Sequence, residues 1–157
     1  MHPRELLVDT LAHIPPPHAL EGLTLEQAWR TVPGATHSIA ELVAHMTFWM
    51  EWFVARCEGR AEPPAATAAA GWPAAAQGDW PELQGRFLAA LERLVRVGEE
   101  GLDRPVSPPI EFPPLAHYTI GDALAHAATH NAHHLGQIIT LRQIIGCWPP
   151  PSGSWTW

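Results

Sequence analysis

Lysine is absent from this chain, and all nine basic residues are arginine. Schiff-base catalysis and the lysine-containing phosphate loop of nucleotide-binding proteins are therefore excluded. The sequence also lacks the G-x-G-x-x-G loop of dinucleotide-binding proteins and the G-x-S-x-G turn of serine hydrolases. Histidines, carboxylates and two thiols remain for catalysis. We expect both thiols, Cys57 and Cys147, to be core or helix-end residues rather than nucleophiles.

Positive charge and long apolar runs are also scarce. The net charge is -7 with histidine neutral, and no basic stripe is available to neutralise nucleic-acid phosphates. No apolar run approaches the roughly 18 residues of a membrane-spanning helix, and the first residues do not resemble a secretory signal. Two cysteines without CxxC spacing fit a reducing compartment. We therefore expect a cytoplasmic protein that binds neither nucleic acid nor membranes.

The 17 prolines cluster between segments whose apolar residues recur at helical spacing. Because proline inside a helix costs about 3 kcal/mol, the clusters mark connections between helices. Strand signals are nearly absent, so we predict an all-α four-helix bundle over residues 1–146, with a crossover loop at 61–78 and an extended tail at 147–157. The predicted helices are 2–14, 39–58, 80–102 and 120–145, with a short helical piece at 25–31.

Sequence signals also mark the ends of the predicted helices. Ser38 with Glu41, and Asp79 with Glu82, have the spacing of a capping box, in which each side chain bonds the other residue's backbone N–H. Gly146 follows the last helix and is the residue type most often found in the left-handed conformation that ends a helix. These signals predict two helix starts and one helix end.

Two histidines, His130 and His134, lie four residues apart in the last predicted helix and therefore on one face of it. His45 lies on the apolar side of the predicted helix 39–58. Three imidazoles from two helices can bind one divalent cation at about 2.0–2.1 Å and leave it open positions, as in a reactive metal site. Hydrogen-bonded core histidines without a metal are equally compatible with this spacing.

Two segments resemble the DinB/YfiT-like family of metal-dependent enzymes, which are four-helix bundles with a three-histidine metal site. The segments are His37-Ser-Ile-Ala-Glu-Leu-Val-Ala-His45 and His130-Asn-Ala-His-His-Leu-Gly-Gln-Ile138. The resemblance implies that His45, His130 and His134 bind a divalent transition metal (Zn, Ni or Fe). Leu135 departs from the family pattern, because many members have arginine there, and this leaves an anionic substrate in question.

Four further residues are candidates for supporting the ligands or lining a substrate pocket: Trp49, His126, Asn131 and His133. Trp49 lies one turn from His45, and His126 lies one turn before His130. A helix rises about 1.5 Å per residue, so one ion cannot bind His126 together with both later histidines. A core position for Trp49 and surface positions for His126 and His133 are the alternatives. Asn131 interrupts the buried stripe and is expected to have a hydrogen-bonding partner.

The resemblance leaves the reaction open. A metal ion can lower the pKa of a bound water to about 7, as in a hydrolase, or it can activate a low-molecular-weight thiol, as in the family's thiol S-transferases. We favour a thiol S-transferase acting on a small-molecule substrate, because Glu41 is predicted to cap a helix and Glu51 to face outward. Neither carboxylate is then placed as a base beside His134. A non-catalytic metal-binding bundle is the third alternative.

The last eleven residues contain three tryptophans, Trp148, Trp155 and Trp157. A free tail of this composition would expose a large apolar patch. We therefore expect the tail to pack on the bundle or on a partner subunit. Members of the family often dimerise, and the resemblance accordingly implies a homodimer.

Overall fold

The computed structural model describes residues 2–74 and 80–153. Over these residues the chain is helical, without strands, and the prediction of an all-α protein is confirmed. None of the described helices combines the length and the hydropathy that crossing a bilayer requires. The α-helices are α1 (Pro3–Leu7), α2 (Pro16–Leu20), α3 (Leu25–Trp29), α4 (Ile39–Cys57), α5 (Trp80–Glu99) and α6 (Ile120–Ile144).

The boundaries of α4 and α6 follow their sequence signals. The Ser38 hydroxyl accepts the Glu41 N–H at 3.3 Å, and the Glu41 carboxylate accepts the Ser38 N–H at 2.7 Å. Gly146 has φ +77°, and beyond it the N–H of Cys147 donates to the Arg142 carbonyl at 3.0 Å, which closes the end of α6. The predicted cap at Asp79 lies outside the described residues.

The predicted helix over residues 2–14 is wrong beyond Leu7. The Thr10 hydroxyl accepts the N–H of Ala12 at 3.2 Å, and such a local bond offers the backbone an alternative to the helix. Leu11, predicted on the buried side, is 87% exposed, whereas Ile14 is fully buried. A separate helix, α2, begins at Pro16. Only the five residues of α1 are therefore helical within the predicted range 2–14, and α2 lies beyond it.

Helices α4 and α5 run parallel to each other. Glu51 pairs with Arg86, and Glu58 pairs with Arg93. In each pair the two residues are 35 positions apart in the sequence. A constant separation along two helices requires that they point the same way. The chain between them runs back along α4, because Trp52 Nε1 donates to the Pro63 carbonyl at 2.8 Å and the later Gly71 carbonyl contacts the earlier His45.

Helix α6 runs antiparallel to α4. The Phe53 ring contacts His126, whereas the earlier His45 ring contacts the later His130 and His134. The apolar stripes of α4, α5 and α6 form a continuous core. Packing is close where α1 meets α5 and α6, because a Cβ on Gly98 would lie 2.6 Å from Leu124 and 2.9 Å from Pro3. The face of α6 that contacts α4 thus places its histidines beside His45.

The described part of the tail returns over α2. Trp148 is half-buried, and Pro150 is buried. The N–H of Ser152 donates to the Glu21 carboxylate at 3.0 Å, and the Ser152 hydroxyl lies 2.8 Å from His18 Nδ1. Trp155 and Trp157 lie outside the described residues.

Arg142 joins α6, α2 and the start of the tail. This residue is 2% exposed, and its guanidinium donates to the Ala19 carbonyl at 2.7 Å and to the Cys147 carbonyl at 3.0 and 3.2 Å.

Arg142→Met keeps an unbranched chain but leaves two carbonyls without their donors, at about 1–3 kcal/mol each. We expect a loss of about 2–5 kcal/mol in the free energy of unfolding by urea, whereas Arg96→Met, at an exposed position of α5, should change it by less than about 0.5 kcal/mol. Equal effects of the two substitutions would contradict this role of Arg142.

Candidate metal centre

The fold brings together the three histidines that the sequence suggested as ligands. Ligand atoms of His45, His130 and His134 all lie within 4.8 Å of one another. The ring centroids of His130 and His134 are 4.6 Å apart, and those two rings lie 5.0 and 4.8 Å from the His45 ring. The i, i+4 spacing on α6 and the antiparallel contact with α4 together produce this cluster.

Backbone and side-chain acceptors orient two of the three rings. His45 Nδ1 lies 2.6 Å from the Gly71 carbonyl oxygen, and His134 Nδ1 lies 2.7 Å from the Gln137 side-chain oxygen. An oxygen of this kind only accepts, so Nδ1 carries the proton in each ring and Nε2 has a free lone pair. Acceptors behind a histidine commonly fix its tautomer for metal binding.

His130 is the least satisfied ring of the cluster. Its Nε2 lies 3.1 Å from the Nε2 of His45, and its buried Nδ1 has no hydrogen-bond partner among the described residues. A buried polar atom without a partner is costly and calls for an explanation. A divalent cation would satisfy the Nε2 lone pairs of His45 and His130 that face each other, so the three histidines form a group that could hold a metal ion.

Burial also sets the protonation state of the cluster. It lowers the pKa of all three imidazoles, and it lowers that of His130 to about 3, with neighbouring histidines adding to the effect. The rings are therefore neutral at pH 7, which is the form that binds a metal. A water-exposed cluster would be partly protonated near pH 6.5 and would compete less well for an ion.

Two cavities reach the histidines. The first, about 820 Å³, is bounded by Thr36, His37, Trp72, His133, His134, Gln137 and Thr140 together with apolar residues, and we name it the polar cavity for its hydroxyl, imidazole and amide groups. The aromatic cavity, about 630 Å³, is bounded by His45, Trp49, Trp52, Phe53, Trp72, Phe112, His126 and His130 and by the 64–68 segment and Leu115. Both volumes lie within the usual range of small-molecule sites.

Among the described residues, neither a carboxylate nor an arginine lines either cavity. Glu41 is held in the capping box with Ser38. Glu51 lies 2.8 Å from Arg86 in a salt bridge between α4 and α5. The two carboxylates nearest to the ligands in sequence are thus used elsewhere, as their helix positions predicted.

The model of one protein family, the DinB superfamily, matches residues 17–138. This span is more than half of the chain and includes all three clustered histidines. The chain belongs to the DinB superfamily. No curated protein matches the sequence, and no solved structure matches it.

The other predicted site residues of this DinB-superfamily chain surround the cluster in different ways. The Trp49 ring meets the His45 ring edge-on, with 6.5 Å between centroids. His126 Nδ1 lies 3.0 Å from the Tyr118 hydroxyl, and burial lowers its pKa. His133 is exposed and lies beside His134.

Asn131 and Leu135 face the interior of the bundle. Asn131 is buried, and its amide donates to Met50 Sδ at 3.2 Å, so a thioether meets part of its expected need for a partner. Leu135 is 1% exposed within the apolar core. The residue that replaces the arginine of many DinB-like sequences therefore brings no charge to the metal centre.

Sequence reasoning missed Trp72 and His37. The Trp72 ring stacks between His37 and His45, at centroid distances of 3.8 and 3.9 Å and interplanar angles of 13° and 12°. Trp72 lines both cavities and thus forms a wall that they share. The available signal was the length of the segment between α4 and α5, because long connections in compact domains are usually functional.

Proposed function

We propose that this protein is a metal-dependent enzyme of the thiol S-transferase type. His45, His130 and His134 hold a divalent transition metal, and a low-molecular-weight thiol reacts there with a small-molecule electrophile. The observation that carries the proposal is the pair of cavities at one cluster. His134 borders the polar cavity, and His45 and His130 border the aromatic cavity. Two substrates can therefore approach the same centre by separate routes.

The residues of the chain have defined tasks in this reaction. The Gly71 carbonyl and the Gln137 side chain hold the rings of His45 and His134 so that Nε2 is free. A divalent ion bound by the three histidines favours the thiolate form of a thiol. The stacked Trp72 ring shields His45 from solvent. The thiolate sulfur forms a bond to the electrophilic carbon as the leaving group of an alkyl halide departs with its electron pair, and the thiol proton passes to solvent. With an epoxide or an enone, the electron pair moves onto the substrate oxygen, and the adduct takes up a proton.

A metal-dependent hydrolase is the second candidate. The described residues that line the two cavities include no carboxylate to serve as base, and this favours a thiol as nucleophile. The observation that favours the hydrolase is His126, whose imidazole borders the aromatic cavity and is held by Tyr118. A non-catalytic metal-binding bundle is the third candidate, and three ligands rather than four argue against a purely structural ion.

Assembly and location belong to the same proposal. The chain forms a DinB-type four-helix bundle over residues 1–146, in which α1 and α2 take the place of one helix, with the tail at 147–157. It acts as a cytoplasmic homodimer.

The test is turnover by protein loaded separately with Zn²⁺, Ni²⁺ or Fe²⁺. Glutathione, cysteine and coenzyme A are each incubated with alkyl halides, epoxides and enones, and mass spectrometry detects the sulfur–carbon adduct. We expect at least one pair to react about 100-fold faster than with metal-free protein, since oriented binding and thiolate formation both contribute. Hydrolysis of an ester panel without adduct formation would identify the hydrolase instead. Bound metal without either activity would support the non-catalytic bundle.

A further inference from the structure

The aromatic cavity has a lining that restricts its ligand. Three of its rings, Trp49, Trp52 and Phe53, form a continuous row on α4 and meet edge to face at centroid distances of 5.7 and 5.0 Å. Trp52 Nε1 already donates to the Pro63 carbonyl, so this ring is fixed and offers the cavity apolar surface. Rings arranged in this way favour other rings, which can adopt edge-to-face or offset-stacked contacts.

Over the part of the chain that the structure describes, the aromatic cavity has few polar groups, and none of them is a carboxylate or a guanidinium. Its one hydroxyl, that of Thr67, accepts the Ala70 N–H at 3.2 Å and caps a short turn. His126 is held by Tyr118 at 3.0 Å. An ion transferred into such a lining loses hydration without gaining a carboxylate or guanidinium as partner, and this cost is high. The lining thus selects against charged molecules.

Phe112 lies at the border of the same cavity and is 48% exposed. It belongs to the connection between α5 and α6, immediately before the short turn Pro113–Leu115. A large apolar ring at the border of an apolar cavity can cover a ligand with little rearrangement. The exposed Phe112 ring at this border is therefore a second observation that favours a ring-bearing occupant.

We propose that the aromatic cavity binds the electrophilic substrate and that this substrate is an uncharged compound carrying a flat ring. The inference rests on the proposed function, and it adds the chemical class of one substrate. His45 and His130 border the cavity and place its occupant beside the metal ligands. The thiol then reaches the centre from the polar cavity, where His134 lies.

Equilibrium binding tests this inference without any turnover. Chelator-treated protein, in which no metal ion can pair with an anion, is titrated in a calorimeter with 2-naphthol and with naphthalene-2-sulfonate, which has the same rings and a permanent charge. We expect 2-naphthol to bind at least about tenfold more tightly, because the charged ring must be desolvated. Equal or tighter binding of the sulfonate would overturn the inference.

Matched variants locate the binding. Phe112→Ala should weaken 2-naphthol binding about fivefold to tenfold through loss of a ring contact. Leu25→Ala removes a side chain of similar exposure, 46%, that borders neither cavity, and it should change the Kd by less than about twofold. Equal weakening by both substitutions would also overturn the inference. Binding of 2-naphthol needs no thiol. Tight 2-naphthol binding, together with no adduct from any thiol and electrophile of the turnover panel, would therefore reject the transferase and keep the ring-binding cavity.

Discussion

Replacing His134 with alanine should reduce the metal content of the purified protein from about one ion per chain to less than about a tenth of that. His134 supplies one of three clustered ligand atoms, and its ring is held by Gln137 at 2.7 Å. Residues behind the ligands typically affect affinity by about 10–100-fold, so loss of a ligand itself should cost at least about 100-fold. The measurement is metal analysis by mass spectrometry on protein purified without an affinity tag and then dialysed.

His133→Ala is the matched control for this experiment. His133 is the adjacent residue on α6, is exposed, and is not part of the three-histidine group. The control should retain about the same metal content as the parent protein, whereas His45→Ala and His130→Ala should lose metal as His134→Ala does. Full metal content in His134→Ala would contradict the assignment of ligands. Absence of metal from the parent after reconstitution with Zn²⁺ or Ni²⁺ would reject the metal centre.

Prediction from sequence succeeded where one helix face determines the outcome. His130 and His134 are four residues apart, and helical geometry alone places them together. His45 lies on the apolar stripe of α4, and α4 and α6 bury their stripes against each other. Burial of both stripes therefore brings the third histidine to the other two. The cluster could be inferred because its geometry follows from two helices and one packing contact.

The amino-terminal segment shows the limit of this reasoning. Leu6, Leu7, Leu11 and Ile14 have helical spacing, yet the helix ends at Leu7 and Leu11 is exposed. Spacing reports which residues would share a face if the helix continued. It does not report the competing bond between the Thr10 hydroxyl and the Ala12 N–H, which offers the backbone an alternative to a further helical turn.

The surroundings of the ligands were harder to infer than the ligands themselves. The Gly71 carbonyl and the Trp72 ring come from the connection between α4 and α5, about 26 residues beyond His45 in the chain. A backbone carbonyl has no sequence signature, because every residue has one. The position of a long connection depends on side-chain contacts along its whole path, such as the bond from Trp52 to Pro63. Local patterns do not contain that information.

Lowering the pH from 7 to 5 should destabilise the metal-free protein. Burial lowers the pKa of His45, His126, His130 and His134 in the folded state, and that of His130 to about 3. In the unfolded chain histidine titrates near its ordinary pKa of about 6.5. Between these values the unfolded state binds more protons than the folded state. Stability is therefore complete above about pH 6.5 and is lost progressively as the pH falls toward the folded pKa values.

Each histidine that is protonated only on unfolding lowers the free energy of unfolding by at most about 1.4 kcal/mol per pH unit below 6.5. Partial solvation reduces this limit, and we expect a total loss of about 2 kcal/mol between pH 7 and pH 5. The measurement is urea unfolding of chelator-treated protein at several pH values. The Ser38 backbone N–H lowers the pKa of Glu41 from 4.5, and hydrogen bonds from Arg93 and Arg60 lower that of Glu58. These carboxylates therefore lose their charge at a lower pH than the range of the experiment.

A matched pair of variants assigns the pH effect to the buried cluster. His130→Gln removes a buried imidazole and should flatten the dependence of stability on pH, whereas His133→Gln removes an exposed imidazole from the same helix and should leave the slope unchanged. Saturating Zn²⁺ should stabilise the parent more at pH 7 than at pH 5, because protons compete with the ion for the same nitrogens. Constant stability of the metal-free parent from pH 7 to pH 5 would show that the three ligands are not held neutral by the fold. The cluster would then have no preformed affinity for a cation, and its metal binding would have to overcome protonation near pH 6.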